Sequence, residues 1–165
     1  MECEAQVKVI GDSQVGGMVG GGPGGSLMRC EIQVDVNGNN DAGGLVGRQS
    51  DDSVIECSVT DVVTGSNNVG GPIGSFNETL LWRFSANCTV TAERTAGGLI
   101  GSARWGHGAL VADCYAQGLI AGSIVGGLLG ESRDIRVINC YAACEVFHLE
   151  GEDGDMFIGG LFGDT

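Results

Sequence analysis

Two tryptophans, Trp82 and Trp105, stand among some of the chain's few cations: Arg83, Arg104 and His107. Indole faces with cationic neighbours are groups that stack on and hydrogen-bond to a sugar ring. The segments that hold them are long. From a motif's closing glycine to the next cysteine they have 13 intervening residues after Gly74 and 12 after Gly101, where the other three have nine. Consecutive units would then set the two indoles side by side on one edge, as a glycan-binding site. The plainer use of the same residues is packing, with Trp82 and Phe84 turned inward to cap a widened core. Asp113, Arg104 and His107 are the one set that could serve a glycan-cleaving reaction. Asp113 directly precedes a cysteine of apolar parity, so it should point outward, as Glu56 and Asn139 should in other units. That is an ordinary surface position, and we assign no catalytic residue.

Carboxylates concentrate at Glu150, Glu152, Asp153 and Asp155. Hard oxygen ligands on a flexible loop can hold calcium; the alternative is a solvated acidic loop. Seven cysteines raise the questions of disulfides and metal. Six of them are spread one per unit, and only Cys140 and Cys144 approach the close ligand pairing of a zinc site. Reduced, buried cysteines acting as small hydrophobes fit best. A partial disulfide between neighbouring units is the alternative. Double glycines invite comparison with phosphate loops, but neither Gly-Lys-Ser/Thr nor the start of a helix follows any copy.

The elements that carry these residues repeat. VGGMVG at 15–20, AGGLVG at 42–47, VGGPIG at 69–74, AGGLIG at 96–101, VGGLLG at 125–130 and IGGLFG at 158–163 are copies of one motif. The first four are 27 residues apart. A fixed period of this length marks a repeat architecture. Ahead of each double glycine the apolar residues alternate, as in Cys30, Ile32, Val34 and Val36 against Glu31, Gln33 and Asp35. Alternation of that kind marks half-buried strands, and no stretch carries a helical period. Aromatic residues are 5% of the chain, so the core must be thin.

The expected fold is all-β. It is a single domain over residues 1–165, a parallel β-solenoid of about six coils with an internal cysteine column. The usual sense of parallel crossovers makes it right-handed. One register stays open. Phe84 and Cys88 share a parity, and either can fill the column in the fourth coil; the pair Asn87-Cys88 repeats Asn139-Cys140 and favours Cys88. Pro72 replaces the motif leucine in the third copy, so its amide position should lie at a corner or go unpaired.

The glycine motif and its cysteine-centred strands, such as Asn139-Cys140-Tyr141-Ala142, resemble the GLUG-motif repeats of bacterial surface proteins. The resemblance covers the whole chain. It implies an adhesin-like or structural segment, extracellular and linked to the cell surface, and it carries over no catalytic residue. A net charge of −13 opposes nucleic acid and anionic membranes as partners. No apolar run is long enough to cross a bilayer.

A solenoid coil without a cap exposes a slice of core and unpaired backbone. Little beyond Glu2, Glu4 and Asp164 flanks the first and last coils. Either the chain is a piece of a longer array or copies stack end to end into a filament. In the filament the Cys140 strand would pair with the Cys3 strand of the next copy.

Overall fold

The computed structural model describes residues 3–23, 25–50, 53–78, 80–105, 108–149 and 156–165. Among them there is no helix. The chain winds as a parallel β-solenoid of about five turns. Each turn lays one segment on each of three sides.

The first side holds long strands, among them Cys3–Gly16, Cys30–Gly43, Ser58–Gly70, Ser85–Ala92, Tyr115–Gly122 and Tyr141–His148. The second begins inside the glycine motif with Val19–Pro23, Val46–Ser50, Ile73–Asn77, Ile100–Trp105, Leu129–Ser132 and Phe162–Asp164. The third is short: Leu27–Met28, Ser53–Ile55, Leu80–Trp82, Leu110–Ala112 and Arg136–Ile138. Six rungs on two sides and five on the third account for about five turns rather than the six that the motif copies suggest.

The alternation read from the sequence is the alternation of burial. Cys30, Ile32, Val34 and Val36 are buried, while Glu31, Gln33 and Asp35 are exposed. The core is a narrow column of Val, Ile, Leu, Ala and Cys, and its two largest fully buried residues are Phe76 and Phe84. In the register Cys3 pairs with Cys30, and Gly16 with Gly43. Further on, Gly97 pairs with Gly126 and Gly126 with Gly159.

The fourth coil corrects one expectation. Ser58 pairs with Ser85 and Ser85 with Tyr115, which sets Phe84 between Cys57 and Cys114. Phe84 therefore fills the column. Cys88 is buried further along the strand, in register with Asp61 rather than with a cysteine. Nine residues then separate Gly74 from Phe84, the same as in the unexpanded units. The segment after Gly74 is not enlarged; only the one after Gly101 is.

Two glycines per motif serve different contacts. A methyl on Gly97 would strike the carbonyl oxygen of Ile100 within the same bend. A methyl on Gly98 would strike the carbonyl of Gly127 in the next coil. Amides continue across the same bend: Gly44 N donates to Gly71 O at 2.6 Å and Leu45 N to Pro72 O at 2.9 Å. Pro72 sits in the bend between the Ser58–Gly70 and Ile73–Asn77 strands, as expected of a residue with no amide proton. The Leu99 carbonyl opposite is still satisfied, by Ile73 N at 3.1 Å.

Because the oxygen facing Gly98 is backbone, relief requires two coils to move apart. Gly98→Ala should cost about 1–3 kcal/mol in urea unfolding. Thr89→Ala, on the exposed parity, should stay within about 0.5 kcal/mol.

Candidate functional site

Each coil passes from its third side to its long side through one non-glycine residue in the left-handed region. These are Arg29, Glu56, Arg83, Asp113 and Asn139, with φ of 52, 54, 51, 54 and 52°. The next residue in each case is the column residue: Cys30, Cys57, Phe84, Cys114 or Cys140. Left-handed backbone costs an L-residue about 1–2 kcal/mol, less where a short polar side chain can bond locally. The corner amides help to hold it. Arg29 N donates to Ile55 O at 3.0 Å, Glu56 N to Trp82 O at 3.0 Å, Arg83 N to Ala112 O at 3.1 Å and Asp113 N to Ile138 O at 3.0 Å.

Stacked coils bring the five corner side chains into one outward file. Glu56 accepts from Arg29 Nε at 3.4 Å on one side and from Arg83 Nη1 at 3.1 Å on the other. The Arg83 guanidinium carbon lies 4.4 Å from the Trp82 ring centroid. Trp82 Nε1 donates to Asp113 Oδ2 at 2.9 Å, and Asn139 Nδ2 donates to Asp113 Oδ1 at 3.2 Å. The two exposed arginine–Glu56 pairs contribute only about 0–1 kcal/mol each. Here they also fix which side chain faces which. The indole hydrogen bond first, and the Asn139 amide second, hold the Asp113 carboxyl below its ordinary value. A carboxylate held ionised by two donors is a weak proton acceptor.

The sugar-binding set read from the sequence does not converge in register. Trp82 and Arg83 belong to the third side and its corner, and the next-coil partner of Trp82 is Ala112. Arg104 and Trp105 lie on the second side, where Trp105 pairs with Asn77 after an irregular step. Trp82 and Trp105 thus belong to strands of different sheets. Phe84 turns inward, whereas Trp82 is half-buried within the corner file. Arg104 Nη2 lies 2.5 Å from Glu131 Oε1, and the Glu131 side chain is only 4% exposed. A carboxylate so buried depends on its partner, which commits Arg104 to Glu131.

His107 lies outside the described residues, as do Glu150, Glu152, Asp153 and Asp155. Among the described residues no group of three or more His, Cys, Asp or Glu could hold a metal ion.

Every cysteine is a free thiol. In the column they do more than fill space. The thiols of Cys30, Cys57, Cys114 and Cys140 donate to the carbonyl two residues back, at 3.5, 3.2, 3.1 and 3.2 Å. The amide of Cys30 donates to Cys57 Sγ at 3.3 Å, and that of Cys114 to Cys140 Sγ at 3.4 Å. Sulfur thus serves polar backbone groups where the chain turns the left-handed corner. The parity pattern concealed this role, since it marks these positions only as apolar. The charged or amide residue directly before each column position was the available signal.

One family model matches the chain, over 27 residues of one coil. Residues 38–64 match the GLUG motif. They run from Gly38 through the double glycine Gly43-Gly44 and around the corner at Glu56 to Thr64. The match supports the GLUG family for this repeat. No curated protein matches the chain.

The corner file and the column generate one expectation each. Asp113 is depressed in the folded state, so its contribution is complete above its unfolded value and is lost as pH falls through the folded one. In a Trp105→Phe variant, Trp82 emission should hold steady as pH falls past 3.8 and change only below it.

The neighbouring Cys114, whose amide donates to Cys140 Sγ, lowers the Cys140 thiol below its ordinary value. Burial raises Cys30 and Cys144 to about 11. The thiolate is the nucleophile. Alkylation of native protein followed by mass spectrometry should show Cys140 labelled at lower pH than Cys30 or Cys144.

Proposed function

We propose that the chain is a non-enzymatic, rigid repeat segment of a bacterial cell-surface or secreted protein, a structural or adhesive spacer. The observation that carries this reading is the use of its polar groups. Arg29, Glu56, Arg83, Trp82, Asp113 and Asn139 bond to one another along the rod. Arg104 is held by Glu131. Of the groups expected to do chemistry, Trp82, Arg83, Arg104 and Asp113 are engaged in joining coil to coil. The GLUG match over residues 38–64 and the resemblance of the other copies support an extracellular, surface-linked setting. A strongly acidic surface suits a segment that must stay soluble beside other cell-surface material.

In such a segment, length and stiffness are the product, and successive coils supply them. End-to-end association of copies extends the same geometry into a filament.

A glycan array, with parallel incubation of polysaccharides, tests the reading. No specific binding and no cleavage are expected. Specific binding that is lost in both Trp82→Ala and Trp105→Ala would replace it with a glycan-binding function. Cleavage lost in Asp113→Ala would make the chain an enzyme.

A further inference from the structure

Phe84 divides the cysteine column into two runs, with Cys3, Cys30 and Cys57 in one and Cys114 and Cys140 in the other. Within each run the cysteines stand in register. Cys3 pairs with Cys30, Glu31 with Ser58 and Tyr115 with Tyr141, which sets Cys30 beside Cys57 and Cys114 beside Cys140. Their thiols also share an orientation. Those of Cys30, Cys57, Cys114 and Cys140 all donate to the carbonyl two residues back. Side chains of like orientation repeat at the spacing of neighbouring strands, about 4.8 Å. Burial first, and then the thiols of Cys57 and Cys3, raise the Cys30 thiol, so its neighbours on both sides are close enough to act on it. The gap between Cys30 and Cys57 lies inside the rod, and both residues are 3% exposed.

This spacing does not suit a disulfide. An S–S bond is about 2.05 Å long, so two coils would have to close on each other. The glycine bends of the same two coils already meet, Gly44 N to Gly71 O at 2.6 Å. An ion midway between two sulfurs, with metal–thiolate bonds of about 2.3 Å, spans about 4.6 Å. Zinc takes four ligands, and among the described residues no group of three or more His, Cys, Asp or Glu could hold it. Two thiolates in line suit a soft cation with a filled d shell, and among biological metals that softness selects copper(I).

We propose that the column binds copper(I), one ion between Cys30 and Cys57 and one between Cys114 and Cys140. This goes beyond the reading of the chain as a structural segment and needs no contact outside a single chain. Each ion replaces two S–H bonds with two S–Cu bonds and releases two protons, with no electron transferred. The resulting site carries one negative charge, which backbone donors offset. The Cys30 amide donates to Cys57 Sγ at 3.3 Å and the Cys114 amide to Cys140 Sγ at 3.4 Å, and a donor on sulfur favours the thiolate. The carbonyls that lose a thiol proton keep other partners. Ile55 O, Ala112 O and Ile138 O still accept from the amides of Arg29, Arg83 and Asp113, at 3.0, 3.1 and 3.0 Å. A cavity of about 520 Å³ lies along the flank of three coils, where Glu4, Glu31 and Glu56 share its wall with Cys3 and Cys30. Its carboxylates draw a cation toward the thiols.

Titration of the reduced protein with copper(I) under argon, in competition with the chelator bicinchoninate, tests the proposal. Two ions per chain should be retained. X-ray absorption should show two sulfur neighbours per copper and no nitrogen or oxygen. Cys30→Ser leaves Cys3 and Cys57 two coils apart, about 9.6 Å, and should lose one ion. Cys30→Ser combined with Cys114→Ser should lose both. Cys88→Ser, at a buried thiol with no cysteine in register, should keep both. Because two protons compete with each ion, the apparent affinity should fall about a hundredfold for each unit that pH is lowered. A wild-type chain that yields all its copper to the chelator would overturn the proposal. So would full retention in the double variant, a loss in Cys88→Ser as large as in Cys30→Ser, or three or more ligands per copper. Thermal melts of the copper-free variants establish that they fold; where a serine variant does not, the ligand count of the wild-type chain decides. None of these outcomes bears on glycan binding or cleavage, so the two readings fail separately.

Discussion

The carbonyl oxygen of one coil's second glycine occupies the place where the preceding coil's glycine would carry its Cβ. This backbone-to-backbone approach sets the spacing that the rest of the solenoid must follow. It recurs from Gly17 to Gly127. It removes side chains from the bend, so neighbouring bends can approach to hydrogen-bonding distance, as Gly44 N and Gly71 O do at 2.6 Å. Once the bends stack, residues at equal distance along each strand must face one another. Identical parity in successive coils then follows from geometry, and with it a core made of columns. Added residues are accommodated where the bend is not involved. The expansion after Gly101 falls on the return toward Cys114, and Ile100 and Leu129 still pair across the second side.

The second corner imposes the opposite demand. There the backbone turns through the left-handed region at non-glycine residues, and the side chains point out. Two interactions offset the conformational cost. The corner amide is bonded to the next coil, and the following cysteine places a polarizable sulfur among the carbonyl and amide groups near the turn. A thiol is small enough for the column and is both a weak donor and a weak acceptor. Valine would fill the space without meeting the backbone, and serine would meet the backbone at a greater desolvation cost. Phe84 shows that sulfur is not obligatory at every rung. Its ring takes the volume, and Cys114 Sγ reaches across to Leu81 O at 3.6 Å in the adjoining coil.

Much of this was legible in the sequence because a solenoid writes its contacts at a fixed period. The six glycine motifs and the alternating strands gave the fold, the parallel register and the bend at Pro72. Phe84 and Cys88 could not be separated by parity, because both are buried on the same face. The repeated Asn-Cys pair favoured Cys88. The stronger signal was the unchanged spacing of nine residues between Gly74 and Phe84. The strand that each tryptophan occupies was not legible for a related reason. Nearness in sequence to the motif glycine says nothing about which side of the coil a residue reaches. Trp105 is still on the second side when Trp82, at a later point in its own coil, has reached the third.

Exposure along the rod shows how such a molecule divides its stability. A coil in the middle contributes two faces, and each buries the motif residues of one neighbour. Leu99 is buried by virtue of the coil above it, whereas Leu161, with the same motif around it, is not. The apolar content of a coil is therefore spent largely on adjacent coils, and folding energy is close to a sum of nearest-neighbour terms. A change such as cysteine to phenylalanine at Phe84 is felt by Cys57 and Cys114 and has little route to coils beyond them. The outer file of charged and amide side chains runs along the same axis and couples the same neighbours. Because backbone, core and surface all carry the interaction in one direction, the loops can vary while neighbouring coils stay paired. Axial continuity, more than any local pocket, is what this sequence encodes.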